Sequence, residues 1–114
     1  MINGEHLQRN IVAKITENDK NMIKTFIQGA VYCYCKNNFD KEFAARDLFG
    51  GANYDWTGTP LIVLYEWHRD NSNNDPVEMA GRDLGWLLLD VIISDNRTFT
   101  KIKGYTNHYK WIVE

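Results

Sequence analysis

The residues best suited to chemistry in this 114-residue chain stand together in its last stretch, "RTFTKIKGYTNHYKWIVE" (97–114). Arg97, Lys101, Lys103 and Lys110 are four cations there, with Tyr105 and His108 between them. Cations so placed can each neutralise a phosphate, and a phenol or imidazole ring can stack on or bond to a nucleic-acid backbone. Four such contacts would give a log-affinity versus log-salt slope of about −3.6, at ~0.9 per phosphate. The plainer reading is an edge strand that carries lysines because they deter sheet-to-sheet pairing.

Other chemistries find less support. Cys33, Cys35, His6, His68 and His108 are the soft or borderline ligands, and no two have C-x-x-C or one-turn helical spacing, so neither a metal nor another cofactor is expected. His68 near a helix end suits the helix dipole instead. With no G-x-S-x-G, no H-E-x-x-H and no Cys/His pair beside an orienting acid, a non-enzymatic role is expected. "GGANYDWTGT" (50–59) lacks the spacing and the lysine of a phosphate loop. It reads as a loop pinned to the core by Trp56. Asn53, Tyr54 and Trp56 are also side chains that make binding anchors.

Composition narrows the class. A 13.3 kDa chain with 44% hydrophobic and 25% charged residues fits one soluble domain, 1–114, of which 1–15 reads as an N-terminal extension. The net charge of −2 argues against general affinity for polyanions, yet its distribution is uneven. Residues 1–96 hold nine Lys/Arg against fourteen Asp/Glu, and residues 97–114 hold four against one. No apolar run has the length of a membrane span, and "MINGEHLQRN" lacks the layout of a secretory signal. A cytoplasmic location is therefore expected. "YCYC" sets Cys33 and Cys35 too close on a helix to bond each other, which suggests buried, reduced thiols.

These residues must be positioned by elements that the periodicity sketches. Around Leu7, Ile11 and Ile15 the spacing is roughly helical. Thr16 offers a capping hydroxyl with Asp19 three residues on, and Met22, Ile23, Phe26, Ile27, Ala30, Val31 and Tyr34 then form one apolar stripe to about Asn37. "FDKEFAARDLFGG" predicts a short helix capped by Asp40 and closed by Gly50-Gly51. Thr59-Pro60 and Asp75-Pro76 are helix openings, a polar cap followed by proline at the first helical position. The first runs to about Arg69. The second runs to about Ser94 with Val77, Ala80, Leu84, Leu87, Leu88 and Val91 facing the core. Gly81 and Gly85 in that helix suggest a neighbouring backbone packed close. Period-two alternation in "YKWIV" means strand. Phe99 shares parity with Lys101 and Lys103, so a bulge is expected if Phe99 points inward.

The predicted fold class is therefore α+β, a mostly helical bundle followed by a C-terminal β-hairpin. The order of a long first helix, "FAARDLFG", the helices capped at Thr59 and Asp75, and a hairpin with "YKW" resembles the winged-helix family, a helix-turn-helix variant. That resemblance implies DNA as partner, with Pro76 to Ser94 as reading helix, Arg82 as its basic contact and a wing centred on Lys103 to His108. The chain departs from the pattern in Glu78, Asp83 and Asp90, carboxylates on a helix that should meet phosphate. Trp86, Leu89 and Ile93 make the far side of this helix apolar, to be covered by the Thr59 helix or by a partner subunit. Two functions follow as expectations. One is a regulatory or accessory DNA-binding protein. The other is a protein-interaction module of the same shape, homodimeric or bound to another protein, with Asn53, Tyr54, Trp56, Trp86 and Leu89 as its surface.

Overall fold

The computed structural model describes Ile2 and residues 10–38, 40–50, 55–71, 75–102 and 107–112. Among the described residues it is an α+β arrangement: α1 (Glu17–Asn37), α2 (Ala45–Phe49), α3 (Ile62–Asn71) and α4 (Pro76–Ser94), then β1 (Thr98–Ile102) and β2 (His108–Ile112), paired antiparallel. No helix among them is long and apolar enough to cross a membrane.

Local chemistry sets most of the boundaries. Thr16 Oγ1 accepts the Asp19 N–H at 3.0 Å and starts α1. Asp75 Oδ1 accepts from the Val77 and Glu78 amides at 3.0 and 3.3 Å, with Pro76 as first helical residue of α4. Thr59 Oγ1 accepts the Leu61 N–H at 3.2 Å. The chain then enters α3 through tight turns, Ile62 N–H to Thr59 and Leu64 N–H to Leu61, before the helix proper.

Four expectations need correction. Residues 10–15 are not helical. Asp40 does not cap α2: it has φ 61°, and Asp47 instead accepts the Ala44 N–H at 2.7 Å. The buried stripe of α1 is Ile23, Ile27, Val31 and Cys35, while Met22 is 51% exposed. The sequence stripe was therefore centred too far toward Met22 and Phe26. Finally, Cys33 is exposed and only Cys35 is buried, both as free thiols.

The core lies between α1, α3, α4 and the inner face of the hairpin. Ile23, Ile27, Leu61, Leu64, Leu87, Leu88, Ile92 and Phe99 are essentially inaccessible. Phe43 joins the layers. Its N–H and C=O each bond Tyr109 at 2.8 Å, adding a rung to β2, and its ring meets Tyr34, Phe99 and Tyr109 at 5.4, 6.3 and 6.0 Å. On the other side of the sheet Ile2 bridges to Phe99, so both edges of the hairpin are partly covered.

Candidate functional site: the hairpin and the α3–α4 groove

The ladder from Thr98↔Ile112 to Ile102↔His108 pairs residues one to one, so the expected bulge is not there. Regular pleating then fixes which side chains share a face. Phe99, Lys101, Tyr109 and Trp111 lie on one side, where Phe99 and Tyr109 are buried. Lys110 lies on the other side, with Thr98, Thr100, Ile102, His108 and Ile112. Lys101 and Lys110, both half-buried, thus belong to opposite faces. Lys103, Tyr105, Asn53 and Tyr54 lie outside the described residues.

Arg97 is held inside the structure. Its Nε and Nη2 donate to Asp95 Oδ1 and Oδ2 at 3.1 and 2.8 Å, and its backbone N–H reaches Oδ1 at 2.8 Å. Gln28 Nε2 from α1 donates to Oδ2 at 2.8 Å. Burial alone would push the Asp95 carboxyl up, but the Arg97 and Gln28 donors outweigh it and bring it down to about 2. The Asp95 hydrogen bonds raise the Arg97 guanidinium further. That guanidinium also stands 5.3, 5.5 and 5.3 Å from the Tyr32, Phe99 and Trp111 rings. A cation so enclosed ties α1, the end of α4 and both strands together.

On α4, the carboxylates expected to face outward are placed differently. Asp83 is 1% exposed. Its Oδ1 accepts the Val12 N–H at 2.8 Å, and its Oδ2 accepts the Ala13 N–H at 3.0 Å. His68, wholly buried at the end of α3, sits with Nε2 2.7 Å from the same Oδ2, while its Nδ1 has no protein partner. This tie, rather than the helix dipole, accounts for His68. Asp90 pairs with Lys24 of α1 at 3.8 Å. Glu78 takes a hydrogen bond from Arg82 at 2.9 Å across one turn of exposed helix. The exposed residues in the first half of α4 are then Val77, Glu78, Gly81 and Arg82, a poor set of donors for base edges.

The apolar far side of α4 is covered largely by α3, its most extensive helix neighbour. Leu89 is only 1% exposed and belongs to the chain's own core, whereas Trp86 is half-buried. Trp56 is half-buried as well, and its indole N–H donates to the Phe49 carbonyl at the end of α2 at 3.2 Å. Beside these rings runs a broad groove of about 1550 Å³ whose walls include Val12, Tyr65 and Val77. Gly81 and Gly85 line it too, and a Cβ at either would meet no atom of the described residues within 4 Å. Among the described residues, the close-packed backbone expected at these glycines is not there.

Sequence reasoning missed the His68–Asp83 pair, although a signal existed. Asp83 falls on the stripe of Ala80, Leu84 and Leu87, and His68 follows Leu64 on the inner side of α3. A polar side chain at a core position has to find a partner inside. Comparison of the chain with family models, with curated proteins and with solved structures gave no match.

Proposed function

We propose that the chain is a protein-interaction module of winged-helix-like shape, with the α3–α4 groove rather than the hairpin as its binding face. One observation carries the reading: Gly81 and Gly85 line the groove, and among the described residues nothing packs within 4 Å of a Cβ placed at either. Each glycine costs an internal helix position about 0.8–1 kcal/mol relative to alanine. No described neighbour accounts for that cost. A strip without side chains lets a partner's backbone come close. Trp56, Trp86 and Tyr65 stand along the same groove, and aromatic rings of this kind dominate binding energies at protein interfaces.

DNA contact through the hairpin is the second reading. It draws support from the succession of α3, α4 and hairpin, and from His108 and Lys110 on one outer face. The protein-partner reading gains from Arg97 being engaged by Asp95, and from Lys101 standing on the opposite side of the ribbon to Lys110.

Sedimentation equilibrium over a concentration series reads self-association, and affinity capture with the full chain reads a different partner. Gly81→Glu with Gly85→Glu starts its new side chains from Cβ positions that no described atom approaches within 4 Å, and it is expected to weaken the complex by about 10-fold or more, since an unpaired charge at a contact is repelled. Lys101→Glu with Lys110→Glu is expected to leave it intact. A complex that ignores the glycine substitutions and is lost with the lysines overturns the reading.

A further inference from the structure

The Asp83 carboxylate joins parts of the chain that are 70 and 71 residues apart. Among the described residues, its two bonds to the Val12 and Ala13 amides are the only hydrogen bonds that residues 10–15 make. Short apolar side chains add packing against the core. Ala13 is buried, Ile11 and Ile15 are half-buried, and Val12 is 54% exposed. Downstream the segment ends at Thr16, which is fixed as the cap of α1, and upstream Ile2 is bridged to β1. With the Thr16 cap fixed and two backbone bonds converging on a single carboxylate, residues 10–15 can lift from Asp83 while α1 stays in place.

We propose that residues 10–15 form a releasable strap, fastened by the Asp83 carboxylate, whose lifting widens the α3–α4 groove. Asn10 and Val12 already form part of the groove wall, as does Asp83, so the space freed is continuous with it. Asp83 is also bonded to His68, and that bond does not involve the strap. Lifting therefore leaves the carboxylate with a partner and opens it to water on the strap side. A buried carboxylate stripped of every donor would resist such opening far more strongly. The His68 ring, in contrast, has no second anchor at Nδ1, so the Asp83 carboxylate orients it in both states. The device goes beyond the partner reading and needs no partner to be tested.

Native-state amide exchange on the full chain is the test, because exchange reports local opening separately from global unfolding. The Val12 and Ala13 amides are expected to be protected, yet to exchange about 100-fold or more faster than the Leu87 and Leu88 amides of α4, with little dependence on dilute denaturant. Ala13→Gln, which crowds the buried strap position and keeps both Asp83 and His68, is expected to raise exchange at residue 12 about 10-fold further and leave α4 unchanged. If Ala13→Gln does not fold, the wild-type comparison still decides. Exchange of Val12 and Ala13 at the rate and denaturant dependence of Leu87 and Leu88 makes the strap integral to the fold and overturns the proposal. Absence of any protection at Val12 and Ala13 overturns it too, since Asp83 would then fasten nothing.

Discussion

Replacing Arg97 with methionine keeps the aliphatic stem and removes the guanidinium. Asp95, only 8% exposed, would retain the Gln28 amide and the backbone N–H of residue 97, but lose both charge-assisted bonds. Removing one partner of a buried pair costs about 3–5 kcal/mol, and three nearby rings would lose a cation–π contact of ~0.5–1 kcal/mol each. Water reaches the Arg97 side chain, which is 17% exposed, and the remaining donors offset part of the loss. A destabilisation of about 2–4 kcal/mol is therefore expected. With a urea dependence of ~1–3 kcal/mol/M, the unfolding midpoint should fall by roughly 1–2 M. Lys110→Met, on the outer face of β2, should stay within ~0.5 kcal/mol of wild type. A double-mutant cycle with Asp95→Asn should return about 1–3 kcal/mol of coupling. Equal, negligible effects of Arg97→Met and Lys110→Met would refute the reasoning, because Arg97 would then behave as a surface cation.

The same pair predicts acid sensitivity. The folded Asp95 carboxyl lies at about 2, below its ordinary value of 3.8, so its contribution is complete above about pH 4 and is lost as pH falls toward 2. After allowance for solvent screening the loss is about 1–2 kcal/mol, read as the difference between wild-type and Asp95→Asn urea midpoints across that range. An acid limb of the same depth in Asp95→Asn would contradict it. Gly81→Ala and Gly85→Ala should each stabilise the isolated chain by up to about 1 kcal/mol, since the methyl meets open space and helix propensity improves. Thermal unfolding checks this, and destabilisation by either would mean that the helix is crowded there.

What the sequence made legible was chemistry that acts over short distances. The caps at Thr16, Thr59 and Asp75 are local contracts between a side chain and the next few amides, and α1, α3 and α4 begin at or close to them. Period two in "YKW" likewise fixed the hairpin. The site was less legible because its decisive features are set by register and by distant partners. Whether Lys101 points inward depends on a ladder without a bulge, which Phe99 alone did not determine. Asp83 looked like a surface charge because its partners, the Val12 and Ala13 amides and His68, lie on other elements, and Arg97 did because the Tyr32 and Trp111 rings that enclose it come from α1 and β2. Gly81 and Gly85 suggested a close neighbour, and the described residues supply none within 4 Å of a Cβ.

Titration of a labelled DNA duplex with the full chain at low salt, followed by fluorescence anisotropy, tests most directly whether the groove or the hairpin is the working surface. No saturable binding is expected, with Lys101→Glu and Lys103→Glu indistinguishable from wild type. Saturable binding that weakens with salt at a log–log slope near −3.6, the value for about four phosphate contacts, and that vanishes in that double variant would contradict it.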